Sequence, residues 1–386
     1  MPGASSVGHD PRGARWERRL RILMASALAS TLAAAAAPGE ELAGQPPLTV
    51  VSFGGALERS QMRAVIRPYR KASKRWVSVV AHDGGIDEIA SQVRTENVRW
   101  DVVNLNLADM LRGCRQGLLE KIDVSTLPKG ADGKPARDDF YKNALRDCGV
   151  GHNIYATVVA YDTEVFDTPP TKIADFFDTE RFPGQRGLRR DPMVALEWAL
   201  LADGVASEQI YPTLDTEKGV DRAFSVLDRI RDEIVWWTGG DEGPALIDRG
   251  LVTMGSAWNG RVHGAVQNGA EIAILWDAHV LNMDVWSIPR GSDRLADALG
   301  FIRFATGSEV LARQAREIPY GPARRSGLAL VPAELQSQLP TSAEHLADAI
   351  RIDFEWWATN GLEVEDRFEE WLSRKPVYDF HQPDRN

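Results

Sequence analysis

Short apolar segments alternate with amphipathic segments along the first third of the chain. Leu48–Phe53 is apolar and ends in Gly54-Gly55, Val77–Ala81 ends in a His-Asp-Gly-Gly turn, and Trp100–Asn104 is a third such run. Apolar residues at helical spacing follow each run. Because strands that are buried on both faces read as continuous apolar runs, this βαβαβ order predicts a parallel sheet covered by helices. The predicted fold class is α/β.

A second alternating block follows a polar loop at residues 124–140. Ile154–Tyr161 and Asp284–Ile288 are β-rich, and we interpret them as two strands that cross between the halves of the fold. Between them the spacing predicts helices near 192–203, 217–231 and 243–249, and strands near 252–255 and 272–276. Helices near 293–305 and 308–316 return to the first half, and a tryptophan-rich helical segment covers 343–373.

The length of 386 residues is enough for two lobes with cores of their own. The predicted parts are a signal peptide and linker at 1–43, a first lobe at 46–155, a second lobe at 156–283, a return to the first lobe at 284–330, and a C-terminal helical tail at 331–386.

The amino terminus has the layout of a secretory signal. Five arginines lie between Arg12 and Arg21, Ile22–Ala37 is apolar and alanine-rich, and small residues that permit cleavage follow up to Ala43. The apolar stretch is short for a membrane-spanning helix, which needs about 20 residues. The alternative is an alanine-rich tail without a targeting role. We predict a secreted, periplasmic protein.

The chain has two cysteines, Cys114 and Cys148. An oxidising compartment and an even count favour a disulfide between them, and two buried thiols are the alternative.

No enzyme signature stands out. The chain has no Gly-x-Ser-x-Gly, Walker or His-Glu-x-x-His motif, Gly149-Val-Gly151 lacks the third glycine of a dinucleotide site, and the seven histidines have no metal-ligand spacing. We expect no cofactor and no metal. A net charge of −10 argues against a nucleic-acid partner and permits a cationic ligand, while twelve tryptophans suggest aromatic ligand walls. An extracytoplasmic enzyme is the less favoured alternative, and a ferric-ion binder would need a cluster of Tyr and His that the dispersed tyrosines do not offer.

Several short motifs occur in an order typical of one family. They are Ser52-Phe-Gly-Gly55, Trp100-Asp-Val-Val103, Met254-Gly-Ser-Ala-Trp-Asn-Gly260 and Met283-Asp-Val-Trp-Ser-Ile-Pro289. With them the chain resembles bacterial periplasmic solute-binding proteins of the spermidine/putrescine ABC-transporter type. The resemblance implies the class II periplasmic binding protein fold, in which two lobes, each with a mainly parallel sheet flanked by helices, are joined by two crossing hinge strands. It also implies a monomer that closes over a ligand in the interlobe cleft and docks on an inner-membrane ABC permease.

The resemblance assigns roles to single residues. Trp258 matches an aromatic wall whose face attracts an alkylammonium, and Asp284 falls on the principal amine-binding carboxylate. Phe53 and Tyr320 match further aromatic walls.

Two assigned positions have an equally good structural explanation. Asp191 matches a second acid of the ligand site, but an Asp before Pro192 is also a natural helix N-cap. Trp357 falls near a position that reaches the cleft from the tail helix, and packing in the core is its alternative.

The chain departs from the polyamine pattern at several positions. Asn106 and Ala108 stand where polyamine binders have Ser and Tyr, Asn282 replaces a Trp, and Val194 replaces a second glutamate. Arg261, three residues after Trp258, would repel a diamine but pair with a carboxylate; a salt bridge to a nearby acid is its alternative.

Gly54 and Gly55 offer bare backbone N–H groups to an anion at a helix start. We therefore predict a binding protein for a small amine, with a polyamine such as putrescine or spermidine as the main expectation. The alternative is a zwitterionic ω-amino acid similar to γ-aminobutyrate (GABA), held between Arg261 and Asp284.

Overall fold

A computed structural model describes residues 46–374 and 378–379, so the predicted signal peptide lies outside the described residues. The strands are β1 Leu48–Ser52, β2 Val77–Ala81, β3 Val102–Asn106, β4 Leu145–Arg146, β5 Gly149–Asp162, β6 Arg186–Arg189, β7 Ile234–Trp237, β8 Met254–Trp258, β9 Ile272–Ser287, β10 Gly321–Pro322, β11 Ile350–Arg351 and β12 Tyr378–Asp379. The α-helices are Gly55–Gln61, Arg67–Ser73, Asp87–Arg94, Leu107–Arg115, Ala136–Asp139, Ile173–Phe177, Pro192–Ala202, Ile210–Leu214, Glu217–Leu227, Glu242–Asp248, Asn259–Gln267, Leu295–Ala305, Ser308–Glu317, Arg325–Leu328, Ala333–Gln336, Ala343–Asp348 and Phe354–Ser373. A π-helical turn covers Met62–Ile66, and 3₁₀ turns cover Val124–Thr126, Ser207–Gln209 and Asp228–Glu233.

The strands form one mixed sheet in the order β12-β7-β6-β8-β5-β9-β3-β1-β2. In one half of the sheet β1 lies parallel to β2 and β3, and in the other half β6 lies parallel to β7 and β8. The long strands β5 and β9 run antiparallel to each other in the middle and join the halves. This arrangement confirms the α/β prediction with two crossing strands.

The crossing strands are longer than predicted. The two strands expected at 272–276 and 284–288 are one strand, β9, whose pairing with β5 shifts between Leu275 and Val280. Ala278 has a positive φ of 52° in this interval, so the extra residues bulge out of the ladder. Because the bulge interrupts the apolar pattern, the sequence reads as two separate strands.

The sequence prediction missed the two-residue strands β4, β10, β11 and β12 and two longer strands, β6 and β7. In β6, Arg186 is fully buried and donates hydrogen bonds to the carbonyls of Phe176, Phe182 and Gly184. An arginine interrupts the apolar run by which a buried strand is recognised, because its burial depends on acceptors from other segments. The neighbouring β7 follows the predicted 217–231 helix, which ends earlier, at Leu227.

The predicted C-terminal tail is only partly helical, which corrects the expectation. It contains β11, which pairs with β9, and β12, which pairs with β7. The final long helix, Phe354–Ser373, packs Trp371 against Phe224 and Trp236. The helix Phe354–Ser373 therefore belongs to the core of the β6–β7 half, whereas the lobe boundaries themselves stay predictions.

A disulfide joins Cys114 to Cys148, with Cα atoms 5.7 Å apart. It ties the end of the helix Leu107–Arg115, which follows β3, to the residue just before the crossing strand β5. In the described ranges, no helix is both long enough and apolar enough to span a bilayer.

Candidate functional site

A cavity of about 230 Å³ lies at the carboxyl ends of the parallel strands of both halves. Phe53 follows β1, Asn106 ends β3, Arg189 ends β6 and Trp258 ends β8, and all four line the cavity. Open α/β sheets hold their ligands at this edge, because the loops that leave the strands diverge there. The cavity is the candidate ligand site.

Asp284 on β9 lines the cavity from within the sheet and is almost completely buried. Asn153 donates to its Oδ2 over 3.1 Å, and its Oδ1 has no hydrogen-bond partner among the described residues. Burial raises the pKa of Asp284 to about 7, against the opposing effect of Asn153, Asn104 and the charge of Arg261. A buried carboxylate oxygen without a donor is costly, so this position favours a ligand that brings positive charge or a donor.

His152 supports the amides beside Asp284. Its ring stacks on Trp286 with centroids 4.5 Å apart, its Nε2 lies 2.6 Å from Asn104 Oδ1, and its Nδ1 lies 3.2 Å from Asn153 Nδ2. Burial lowers the pKa of His152 to about 3, so the ring is neutral. A neutral ring that donates at Nε2 accepts at Nδ1, and this tautomer turns the Asn153 amide hydrogens toward His152 and Asp284.

Aromatic rings form a wall beside Asp284. Tyr155 lies 6.0 Å from Trp258 and 5.5 Å from Tyr320 between ring centroids, and Phe53 lines the same cavity. Burial raises the pKa of both Tyr155 and Tyr320, so both phenols are neutral. Sequence reasoning missed Tyr155; its only signal was its position in the crossing strand opposite Asn282.

Trp258 lies beside two cations of the protein itself. The guanidinium carbons of Arg189 and Arg261 lie 5.5 Å and 5.8 Å from its ring centroid, within the range of a cation–π contact. The expectation that this ring holds the ammonium of a ligand stays a prediction, although two guanidiniums of the protein already lie beside the ring.

Arg261 makes the salt bridge that the sequence analysis gave as its alternative, and its role toward a ligand stays a prediction. Its side chain is buried, its Nη1 pairs with Asp241 over 2.8 Å, and it still lines the cavity. Its Nη2 donates to the carbonyl of Gly54 over 3.0 Å. Gly54 thus presents an acceptor to Arg261 and is not among the residues that line the cavity, which corrects the expectation of an anion-binding N–H at this position.

Asp191 is the helix cap that the sequence analysis gave as its alternative, and its role as a ligand acid stays a prediction. Its carboxylate accepts from the backbone N–H of Met193 over 2.9 Å, as a helix cap does, and from Arg189 Nη1 over 2.7 Å. It lines the cavity as well. The pair with Arg189 leaves other nitrogens of that half-buried guanidinium for a ligand.

Asn106 organises a polar end of the cavity. Its side chain caps the helix Leu107–Arg115 by accepting from the Asp109 N–H over 2.8 Å, and it donates to Asp109 Oδ2 over 2.6 Å. One turn later, Arg112 pairs with Glu365 over 3.1 Å. Burial raises the pKa of Asp109. The sequence analysis missed Asp109, Arg112 and Glu365. The first two follow Asn106 at successive intervals of three residues, which places them on one helical face.

Trp357 does not line the cavity, and this corrects its assignment. It is fully buried, and its Nε1 donates to Glu197 over 2.8 Å. Core packing, the alternative considered for this residue, is what the structure shows.

The lining of the cavity combines apolar side chains with charges of both signs. It includes six carboxylates and three guanidiniums, namely Asp83, Asp87, Asp109, Asp191, Asp284, Glu365, Arg112, Arg189 and Arg261. Within residues 46–374 and 378–379, no group of three or more His, Cys, Asp or Glu could hold a metal ion. The site thus places charges of both signs and aromatic rings around one cavity.

Fold and cavity together define a ligand-binding protein with the periplasmic binding protein fold. The chain belongs to the bacterial extracellular solute-binding protein family, whose model matches residues 64–341. It is 36% identical over 327 residues to a gamma-aminobutyric acid-binding protein of Pseudomonas aeruginosa, which covers 85% of this chain and 91% of that protein.

Solved structures give the same picture of the fold. A GABA receptor of known structure is 27% identical, with a TM-score of 0.76, covering 86% of this chain and 99% of the other. The binding protein MotA of A. tumefaciens B6, solved with glucopine, is 26% identical, with a TM-score of 0.79 and coverage of 84% and 99%.

The predicted relationship to spermidine/putrescine binders holds only at the level of the fold. The spermidine/putrescine-binding protein PotD of Streptococcus pneumoniae has a TM-score of 0.64 but is 12% identical, over 85% of this chain and 99% of that one. The expectation of a polyamine ligand gains no support from this similarity.

Proposed function

We propose that this protein binds a small zwitterionic ω-amino acid of the GABA type. The observation that carries the proposal is the pairing, in one cavity, of a buried carboxylate with an unpartnered oxygen and an indole flanked by two guanidiniums. A ligand with a cation at one end and an anion at the other matches both features. The similarity to a GABA-binding protein supports this choice of ligand class.

The ammonium group is assigned to Asp284. Its free Oδ1 accepts a charge-assisted hydrogen bond, and the ionised carboxylate gains the counterion that burial denies it in the empty protein. Tyr155, Tyr320 and Phe53 enclose the methylene chain beside it. Their apolar faces exclude water, which strengthens the ion pair.

The carboxylate group is assigned to the space between Arg189 and Arg261. Each guanidinium already has one carboxylate partner, Asp191 and Asp241 respectively, so the two arginines are held in place before ligand arrives. Planar guanidiniums bind a carboxylate in a bidentate manner and discriminate against a second ammonium. A diamine would place its second cation at this end, and this is why we prefer a zwitterion to putrescine.

The transport role follows from the family. We propose that the protein is secreted to the periplasm by its amino-terminal segment and closes its lobes over the ligand around β5 and β9. It then delivers the ligand to an ABC permease. Closure is favoured because the ligand contacts Asp284 near the centre of the sheet and residues of both halves at once.

Isothermal titration with purified protein tests the ligand class. GABA is titrated beside β-alanine, 5-aminovalerate, putrescine, n-butylamine and butyrate. We expect measurable binding of an ω-amino acid and at least tenfold weaker binding of putrescine and of the two compounds with a single charged end. Binding of putrescine at equal or higher affinity than every ω-amino acid would refute the proposal.

A further inference from the structure

The segment Asp191–Ala195 forms one wall of the cavity and has an unusual backbone. Val194 has φ 79° and ψ −45°, and with Met193 (φ −62°, ψ 131°) it departs from the helical geometry of the rest of Pro192–Ala202. Positive φ is strongly unfavourable for a β-branched residue, since its Cβ crowds the backbone. Such a conformation persists only where its surroundings hold it in place.

Glu197 bonds the backbone of Val194. The side chain is completely buried, and its Oε2 accepts from the backbone N–H of Val194 over 2.7 Å. Its Oε1 accepts from Tyr211 Oη over 2.9 Å and from Trp357 Nε1 over 2.8 Å. A glutamate that bonds the N–H three residues earlier is half of a capping box, and valine cannot supply the other half.

These bonds connect two walls of the cavity. Val194 belongs to the wall at 191–195, and Trp357 lies in the first turn of the helix Phe354–Ser373, which also carries Leu362 and Glu365 to the cavity lining. Both oxygens of Glu197 accept from protein donors, and Glu197 is not among the residues that line the cavity.

We infer that Glu197 is a positioning residue for ligand binding: it holds Val194 at positive φ and thereby sets the shape of the cavity wall. The effect of Glu197 variants on GABA affinity rests on the function proposed above. A prediction follows from the backbone itself. Glycine adopts positive φ without a steric penalty, so V194G makes the wall independent of Glu197.

Glu197→Gln is the most conservative variant. Its single oxygen can serve Tyr211 and Trp357, but its amide nitrogen then faces the N–H of Val194, donor against donor, and that bond is lost. We expect E197Q to weaken GABA binding at least tenfold. The double variant V194G/E197Q should bind within threefold of V194G alone. Tyr211→Phe, which leaves the bond to Val194 intact, is the matched control and should bind within threefold of the unmodified protein.

A double-mutant cycle of protein stability, measured without ligand, tests this inference separately from the proposed function. Urea midpoints are measured for the unmodified protein, V194G, E197Q and the double variant. We expect E197Q to lower the midpoint more when Val194 is present than in V194G, and the double variant keeps the test open should E197Q alone not fold. If the unmodified protein binds no ω-amino acid, the proposed function fails and this cycle decides the inference. Equal midpoint changes in both backgrounds, or tight GABA binding by E197Q, would overturn it.

Discussion

Replacing Asp284 with asparagine should stabilise the empty protein and abolish its main contact with an amine. The pKa of the buried carboxyl rises from 3.8 to about 7 because burial penalises its charge. At about 1.4 kcal/mol for each pKa unit, the ionised side chain costs the ligand-free fold about 4 kcal/mol at pH 8. Asparagine has the same shape and no charge, so the D284N variant does not bear this cost.

The effect of D284N on the free energy of unfolding depends on pH. Between pH 3.8 and about 7 the folded protein keeps a proton on Asp284 that the unfolded chain releases, so the stability contributed by this group falls as pH rises through that window. Above pH 7 the loss is complete. The gain of D284N over the unmodified protein should therefore be small at pH 4.5 and approach about 4 kcal/mol at pH 8.

Urea unfolding at the two pH values, without ligand, measures this difference. Asp101→Asn is the matched control, because Asp101 is equally buried but lies outside the cavity lining and is bonded by Thr49, Ser292 and Arg294. D101N should lose stability at pH 8 and keep GABA binding, whereas D284N should gain stability and bind GABA at least tenfold more weakly. A D284N variant that is no more stable at pH 8 than the unmodified protein, or that binds GABA normally, would refute the reasoning.

Three further predictions concern the cavity and the disulfide. The affinity for GABA should rise about tenfold from pH 6 to pH 8, because the ammonium binds the ionised form of Asp284; a flat profile in titration calorimetry would contradict this. Arg261→Ala should weaken GABA binding at least tenfold and leave n-butylamine binding unchanged, which competition titrations measure; equal losses for both would remove the guanidinium from the carboxylate end. Replacing Cys114 and Cys148 by serine should lower the free energy of unfolding by about 4 kcal/mol for a sequence separation of 34, and unchanged urea midpoints would show that the link adds nothing.

The first parallel half of the sheet was predictable because strands buried on both faces read as continuous apolar runs, whereas β6 and β7 of the second half were missed. Leu48, Val50 and Val51 of β1 are all buried, and the continuous apolar run reports this directly. Phe53, Asn106 and Trp258 were singled out by the family resemblance, and the structure places each at or directly after the carboxyl end of a strand, where ligand sites of α/β sheets lie. All three line the cavity.

The number of tryptophans was a poor guide to the site. Among the twelve in the chain, Trp198 and Trp258 line the cavity, whereas Trp236, Trp286 and Trp371 are buried in the core. An indole that packs in a core and one that faces a ligand have the same local sequence signal. Only the contacts of the folded chain separate them, as they do for Trp357, which donates to Glu197.

By itself, the sequence determined the alternation of strands and helices, the two crossing strands and the edge of the sheet at which a ligand site forms, because each depends on local periodicity. The tertiary structure alone decided which charges meet there. Arg189 and Arg261 flank Trp258, Asp284 keeps an unpartnered oxygen, and Glu197 bonds Val194 and Trp357. These contacts join residues from different strands and helices, and the cost of burying their charges exists only once the chain has folded around them.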